Sequence, residues 1–269
     1  MSDASRPEIA VIGGSGLYEF LSDPEQVEVS TPYGEPSAPI SVGRLGDRVV
    51  AFLPRHGRHH EFPPHRVNYR ANLWALRSVG VRRVIAPCAV GSLQSRLGPG
   101  ALVVPDQLVD RTTGRTQTYM DAGAVHVGFA DPYCPSLRQA IVRDRPDVID
   151  GGTMVVIEGP RFSTRAESQW YAALGWSLVN MTGHPEAVLA RELAMCYAPI
   201  ALVTDRDAGI DSGDSVSQAE VFAEFGRNIE RLRTLLRDVI DSLSGGGRPD
   251  CDCASALDGM HLPFELPET

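Results

Sequence analysis

The sequence contains no lysine, so all 25 of its strongly basic residues are arginine. This absence excludes sites that depend on a lysine amine: a Walker A phosphate loop, a Schiff base and the phosphate-binding lysine of kinases. Long apolar runs are absent as well, and none approaches the roughly 20 residues that span a bilayer. The opening segment MSDASRPEIAV lacks the charged region and apolar core of a signal peptide.

Charge and cysteine content narrow the range of partners and compartments. A net charge of −9 argues against a general role on nucleic acid or on a membrane surface. Five cysteines, an odd number in 269 residues, suit a reducing compartment, and we predict a cytoplasmic protein.

Short apolar segments alternate with segments of helical periodicity along the chain. The predicted strands span residues 8–13, 48–53, 82–88, 101–105, 153–158, 177–181 and 197–204. The predicted helices span residues 66–79, 135–143, 164–174, 185–195 and 216–243. This alternation predicts an α/β domain with a largely parallel or mixed sheet. We assign residues 1–244 to this domain and residues 245–269 to a glycine-rich linker and a C-terminal tail.

Two aspartates, Asp205 and Asp207, follow the apolar run YAPIALVT, whose composition predicts a buried strand. Aspartates in such a position are common in solvated loops and helix caps. They are equally typical of binding sites, because ligands of parallel α/β sheets bind at the carboxyl ends of strands. The strand alone leaves both interpretations open.

The segment GGSGL at 13–17 also follows a predicted strand. It does not match a dinucleotide-binding loop, because Glu19 stands where the third glycine is needed. A tight turn that binds an anion through backbone N–H groups and the Ser15 hydroxyl fits better. A purely structural turn is the alternative.

Arginines and histidines, among them Arg55 and His56, cluster in PRHGRHHEFPPH at 54–65. A zinc site is disfavoured, because Pro63 and Pro64 prevent the helix that would place two histidines on one face. A phosphate or sulfate fits better, since a guanidinium grips such an anion with two N–H groups. A basic surface loop is the alternative.

Two further predicted strands end in flat or polar side chains. In EGPRFSTRAES, Phe162 can stack on a planar ligand, while Thr164 and Glu167 have the spacing of a capping box. In NMTGHPEAVLARE, the Thr182 hydroxyl can reach an anion and Met181 offers an apolar surface, although methionine is commoner in a core. One pocket for phosphate, sugar and base accounts for all five strand ends.

Nine segments in order along the chain resemble the 5′-methylthioadenosine phosphorylases, which belong to the trimeric branch of the purine nucleoside phosphorylases. They are IAVIGGSGL, PRHGRHH, VNYRANLWAL, GSL, VVPDQLVDRTTGRTQTY, DPYCP, GTMVVIEGPRFSTRAES, NMTGHPEAVLARE and ALVTDRDAG. The resemblance implies a single phosphorylase-type α/β domain with a central mixed sheet flanked by helices. It also implies a homotrimer with active sites near subunit interfaces, and neither a metal nor an organic cofactor. The implied reaction converts 5′-methylthioadenosine and phosphate to adenine and 5-methylthioribose 1-phosphate.

The resemblance also assigns site residues by position. The phosphate site would comprise Ser15, Arg55, His56, Cys88, Ala89 through its backbone N–H, and Thr182. The nucleoside would contact Met181 at the ribose and Phe162, Ser163, Asp205 and Asp207 at the base. Its 5′ end would meet Gln218, Val221, Phe222 and a neighbouring subunit's copy of His126. The catalytic residues would be Asp205, Asp207 and His56.

The chemistry of such a reaction suggests how the two aspartates work. A purine leaves ribose with the bonding electrons, so the transition state pairs a cationic sugar with an anionic base. Phosphate stabilises and captures the sugar, and a proton or hydrogen bond at purine N7 stabilises the base. Asp205 can serve at N7 only when protonated, which requires an apolar site that raises its pKa. The Asp207 carboxylate only accepts hydrogen bonds, which favours a 6-amino purine over a 6-oxo purine.

Four features depart from the family pattern. Cys88 replaces a phosphate-binding threonine, and a thiol is a weaker donor. Gln218 replaces an apolar residue near the 5′ substituent, which leaves the preference for methylthio over hydroxyl open. His184, in GHPE where TVPE is usual, lies near the site or has a structural role. Cys251 and Cys253 form a Cys-x-Cys pair beyond the matched region; some relatives from hot environments carry redox-active versions, and its function here is open.

Two other functions remain open from the sequence. One is a phosphorylase whose nucleoside is adenosine or a 5′-halogenated or otherwise 5′-modified deoxyadenosine. The other is a catalytically inactive nucleoside-binding protein, against which the retained Asp205, Arg55, His56 and Thr182 argue.

Overall fold

The structure, a computed structural model, describes residues 6–14, 17, 21–123, 125–210, 216–243 and 251–267. In this part of the chain eleven strands form one mixed sheet with helices on both faces. The strands are β1 (Ile9–Gly13), β2 (Ser22–Val27), β3 (Ile40–Leu45), β4 (Arg48–Pro54), β5 (Arg83–Ser92), β6 (Leu102–Val104), β7 (Gln107–Arg111), β8 (Val148–Asp150), β9 (Thr153–Ile157), β10 (Leu178–Asn180) and β11 (Cys196–Arg206). The helices are α1 (Tyr69–Ser78), α2 (Pro135–Val142), α3 (Arg165–Ala173), α4 (Gly183–Glu192) and α5 (Gln218–Ser242). The α/β class predicted from the sequence is confirmed.

The central strands are apolar at almost every position because both faces of the sheet are covered. In β1, Ala10 and Ile12 pack into a core with α1 and α4, whereas Ile9 and Val11 pack into a second core with α2 and α5. A strand buried on both faces reads as a continuous apolar run. This explains why β1, β5 and β11 were recognisable in the sequence.

The order of the strands places β5 at the centre of the sheet. The order is β2-β3-β4-β1-β5-β10-β9-β7, while β11 pairs with β5 and β6, and β8 pairs with β6. β4, β1, β5 and β11 run parallel, whereas β10 runs antiparallel to the carboxyl end of β5. The ends of β4, β5 and β11 and the turn after β10 therefore lie in one region of the molecule.

Helix α5 is buried over only part of its length. Its described buried side chains are Leu232, Leu235, Leu236, Val239 and Ile240, all in the C-terminal half. Near its start, Phe222 is 49% exposed. The start of α5 is thus available to the site, while Phe225 and Ile229 already pack against the second core. Of the described helices, none is long and apolar enough to cross a membrane.

The C-terminal segment 251–267 packs on its own subunit. It begins with a 3-10 turn at Asp252–Ser255. Farther on, the Phe264 ring lies 5.7 Å from Trp74 and 5.8 Å from Tyr119. The division into a domain at 1–244 and a tail at 245–269 stays a prediction.

Candidate active site

A β-bulge at the end of β11 orients the two aspartates. The pairing of β11 with β5 shifts between Val203 and Asp205, so Thr204 is the extra residue of the bulge. Beyond it Asp205 pairs with Gly91. A Cβ atom placed on Gly91 would lie 3.1 Å from Asp205 Oδ2 and 3.4 Å from Asp207 Oδ1. Both carboxylates therefore lie over the same small residue, on the same face of the sheet.

The two carboxylates have different surroundings. Asp207 is only 3% exposed, and its Oδ2 accepts a hydrogen bond of 2.6 Å from the Ser168 hydroxyl. Asp205 is half-buried, and its Oδ1 accepts one of 2.8 Å from the Thr204 hydroxyl. Burial, opposed by this hydrogen bond and reinforced by the charge of Asp207, raises the pKa of Asp205 to about 6. Asp205 can hold a proton near neutral pH, while Asp207 is held as an acceptor.

An unsatisfied hydroxyl lies at the start of α3, the helix that carries Ser168. Ser163 is 7% exposed, and its Oγ has no hydrogen-bond partner in the described part of the chain. It is not the helix cap, because Thr164 and Glu167 form a complete capping box, as the sequence predicted. An unpaired buried hydroxyl costs about 1–3 kcal/mol, so a bound ligand is the natural partner of Ser163. The neighbouring Phe162 is half-buried.

Arg55 is buried and paired with Glu186, a residue that the sequence analysis missed. Its Nε donates to Glu186 Oε1 at 2.5 Å and its Nη2 to Oε2 at 3.0 Å. It also donates to the carbonyl oxygens of Ile12 at 3.1 Å and Pro87 at 3.3 Å. Burial alone would lower the pKa of Arg55, but the Glu186 carboxylate raises it above its ordinary value.

This pairing changes the role that the sequence predicted for Arg55. Four hydrogen bonds occupy four of the five N–H groups of a guanidinium. The two-pronged face that was predicted to grip phosphate therefore binds Glu186 instead. Arg55 retains one Nη1–H for an anion.

His56 is neutral and oriented by the backbone. Its Nδ1 lies 2.8 Å from the Phe62 carbonyl oxygen, which can only accept, so Nδ1 carries the hydrogen. Burial and the charge of Arg55 lower the pKa of His56 to about 4. The His56 ring stacks on His60 at 5.7 Å, and His60 meets the edge of Phe222 at 5.9 Å. Three rings thus connect the loop after β4 to the N-terminal part of α5.

Asn180 organises the turn between β10 and α4. Its Oδ1 accepts from the backbone N–H groups of Thr182 at 2.7 Å and Gly183 at 2.6 Å. Its Nδ2 donates to the Ala89 carbonyl oxygen at 3.2 Å. The Thr182 hydroxyl makes only a long contact of 3.5 Å with Asn180 Oδ1. It is therefore well placed to bind an anion at the N-terminus of α4.

Cys88 lies within β5, and Met181 directly follows β10. Burial raises the pKa of the Cys88 thiol to about 12, so it is a neutral, weak donor. Met181 is half-buried and leaves no space for a side chain at Gly159, where a Cβ atom would lie 2.7 Å from its sulfur.

The other predicted residues lie at the edge of the candidate site, away from it, or outside the described part of the chain. Ser15 lies outside the described residues. Gln218, the first residue of α5, is exposed, and Val221 is half-buried. His126 is exposed, and together with the C-terminal segment it lines a cavity of about 540 Å³. None of the residues that line this cavity is one of the residues predicted at the strand ends. Within one subunit, His126 is not brought to the strand ends.

His184 lies beside a separate cavity. Its Nε2 is 3.2 Å from Asp110 Oδ2, and burial lowers its pKa. Both residues line a cavity of about 350 Å³ that contains none of the predicted site residues. This favours the structural role for His184 over a direct one.

The pattern of the phosphorylase superfamily matches residues 8–241. The chain belongs to this superfamily.

Relatives within the superfamily cover almost the whole chain. An S-methyl-5′-thioadenosine phosphorylase of Mycolicibacterium smegmatis is 63% identical over 96% of this chain and 99% of its own length. A purine nucleoside phosphorylase of Streptomyces coelicolor is 55% identical over 99% of this chain and 100% of its own. The crystal structure of a methylthioadenosine phosphorylase from an antarctic soil metagenomic library has a TM-score of 0.88 and 40% identity, and covers 94% of this chain and 92% of that one.

Several residues of this candidate site were not found by inspection of the sequence. They are Gly91, Asn180, Glu186, Ser168 and Thr204. The other four hold predicted residues or their turns in place by hydrogen bonds, whereas Gly91 leaves room for the two carboxylates. Only Glu186 gave a signal, as a carboxylate in the first turn of a helix within the quoted segment NMTGHPEAVLARE.

Proposed function

We propose that the protein cleaves 5′-methylthioadenosine with inorganic phosphate to give adenine and 5-methylthioribose 1-phosphate. The observation that supports this best is the pair of unlike carboxylates at the end of β11. Asp205 has a pKa raised to about 6, and Asp207 is held as an acceptor by Ser168. Two neighbouring carboxyl groups with such different surroundings are typical of sites of acid–base chemistry.

In the proposed reaction a phosphate oxygen forms a bond to the sugar C1′ as the bond from C1′ to purine N9 breaks. The bonding electrons go to the purine, and Asp205 supplies or relays a proton to N7. The Asp207 carboxylate accepts a hydrogen bond from the 6-amino group, which disfavours a 6-oxo purine. The purine base provides the hydrogen-bond partner that the Ser163 hydroxyl lacks, and the Phe162 ring packs on the purine ring.

The proposed phosphate site lies between the ends of β4 and β5 and the start of α4. It comprises Arg55, His56, Cys88, the Ala89 N–H, Thr182 and Ser15. His56 is neutral in the free protein, so its Nε2 can accept a hydrogen bond from the hydroxyl group of a monoprotonated phosphate. The Thr182 hydroxyl and the free Nη1–H of Arg55 donate to the other oxygens.

The positions of the residues proposed to contact the 5′ end of the nucleoside suggest how the subunits assemble. We propose a cytoplasmic homotrimer in which His126 reaches the site of a neighbouring subunit, near Gln218, Val221 and Phe222. The exposure of His126 and Phe222 in a single subunit supports this arrangement. No metal or organic cofactor takes part in the proposed chemistry.

A second candidate is a phosphorylase of adenosine or of another 5′-modified adenosine. The polar, exposed Gln218 at the start of α5 favours it over a strictly apolar 5′ pocket. The Streptomyces coelicolor relative is named a purine nucleoside phosphorylase.

Adenine release with and without phosphate tests both proposals. We expect phosphate-dependent release that is fastest with 5′-methylthioadenosine, slower with adenosine and negligible with inosine. Faster turnover of adenosine would favour the second candidate. Comparable turnover of inosine would contradict the role of Asp207, and binding without release would contradict an enzyme of either kind.

A further inference from the structure

Four of the five cysteines converge at one point in the structure. Cys134 precedes α2, Cys196 begins β11, and Cys251 and Cys253 lie at the start of the C-terminal segment. Their four sulfur atoms all lie within 4.8 Å of one another, and Cys196 Sγ is 3.5 Å from Cys251 Sγ. All four are free thiols. The cluster brings together three parts of the chain that are distant in sequence.

These separations suit a single tetrahedral metal ion. With Zn–S bonds of about 2.3 Å, the sulfurs of a tetrahedral site are roughly 3.8 Å apart. The observed sulfurs need to move by about 1 Å at most to reach that arrangement. A set of four thiolates, without histidine or carboxylate, favours zinc or iron over magnesium or calcium. Four protein ligands and no open position are the pattern of a structural zinc site.

The surroundings are those of a closed site. Cys134, Cys196 and Cys253 are buried in the core formed with α2 and α5, and Cys251 packs against it. The positive charge of Arg191 acts on Cys253. It would offset part of the charge of a zinc ion with four thiolates.

We propose that Cys134, Cys196, Cys251 and Cys253 bind one zinc ion per subunit, which fastens the C-terminal segment to the domain. Each thiol that binds loses its proton to solvent as its Zn–S bond forms, and no oxidant is needed. The ion is structural, because Cys196 and Asp205 stand nine residues apart on the same strand, which corresponds to about 30 Å. It therefore takes no part in the proposed phosphorolysis.

Metal analysis of the full-length protein, purified without chelator, tests the proposal. We expect about one zinc per subunit, and at least about a tenfold lower content in Cys251→Ser and in Cys253→Ser. Cys88→Ser is the matched control: it removes the one cysteine outside the cluster and is expected to retain the zinc.

A second measurement does not depend on the folding of any variant. Reduced, metal-free wild-type protein is titrated with Co²⁺, and we expect the sulfur-to-cobalt charge-transfer bands of a tetrahedral tetrathiolate at one equivalent. Zinc should displace these bands. Purified protein without zinc whose reduced form gives no such bands would overturn the proposal. A mass showing that the four cysteines have lost four hydrogens in two disulfides would overturn it as well.

Discussion

Replacement of Asp205 by asparagine removes the proposed acid and leaves its shape almost unchanged. The amide can still donate a hydrogen bond to purine N7, but it cannot transfer a proton. General acid catalysis by a positioned side chain is worth about 10²–10⁴-fold. We therefore expect kcat/KM for 5′-methylthioadenosine to fall by about 10²–10³-fold in Asp205→Asn.

The magnitude follows from the environment of Asp205. A carboxyl with a pKa of about 6 is protonated in about a tenth of molecules at pH 7. At the ordinary value of about 3.9 the fraction would be about one in a thousand. At pH 7 the protonated fraction of Asp205 is thus about 100 times larger than that of an ordinary aspartate, which corresponds to a free-energy difference of roughly 3 kcal/mol.

The same shift predicts an effect on stability with a definite sign. The pKa of Asp205 is higher in the folded protein than in the unfolded chain, so ionisation destabilises the fold. This cost is absent below pH 3.9, grows as the pH rises towards about 6 and is constant above that. Asp205→Asn should therefore raise the thermal midpoint at pH 8 while it lowers activity, with a gain of up to about 3 kcal/mol.

The pH dependence of kcat/KM gives the sharpest assay. In the wild type the proposed acid should make kcat/KM fall as the pH rises through about 6, and this decline should be absent in Asp205→Asn. Ionisation of phosphate affects both enzymes equally and cancels in their ratio. Asp147→Asn, which alters an exposed carboxylate bonded to Arg231, is the control and should match the wild type. A ratio of wild type to Asp205→Asn that does not vary with pH would refute the reasoning.

Four further substitutions test the support of the site. Glu186→Gln leaves Arg55 buried without its partner charge and should lower the free energy of unfolding by about 3–5 kcal/mol, measured by urea denaturation; a loss below 1 kcal/mol would contradict a structural pair. Gly91→Ala places a methyl group 3.1 Å from Asp205 Oδ2, so kcat/KM should fall at least about tenfold in steady-state assays with little change in thermal midpoint; unchanged kinetics would contradict the placement of the carboxylates. Ser163→Ala removes a hydroxyl that is unpaired without ligand, so KM should rise while the urea midpoint of unfolding stays unchanged. Ser168→Ala is the comparison and should lower both stability and activity. Equal effects of the two substitutions would argue against Ser163 as a ligand contact.

The strands that were predictable from sequence are those buried on both faces. All seven predicted strands and all five predicted helices have counterparts, with ends shifted by up to four residues. The strands missed are β2, β3, β7 and β8. β2, β7 and β8 form edges of the sheet, where SDPEQV, QLVDR and VID lack a long apolar run. Proline and charged residues are tolerated at edges, so the composition of β2 resembles that of a loop.

The residues of the candidate site were easier to predict than their partners. Strand ends are local features, and the segments that carry Arg55, Thr182 and Asp205 could be found by inspection. The pairing of Arg55 with Glu186 joins residues 131 positions apart, and no periodicity in a single sequence indicates such a contact. Hydrogen bonds between residues so far apart follow from the topology of the sheet, and only the class of the fold was predictable from the residues.

The extra residue Thr204 determines on which face of the sheet the Asp205 side chain lies. Side chains alternate along a strand, and without the bulge Asp205 would point to the opposite side of the sheet, where Val203 packs. Regular pairing of the same residues would therefore turn the acid away from the base with no change in composition, whereas loss of Thr204 itself would leave Asp205 paired with Gly91. The placement of the acid thus depends on one irregular pairing at Thr204 as well as on the apolar composition of the strand.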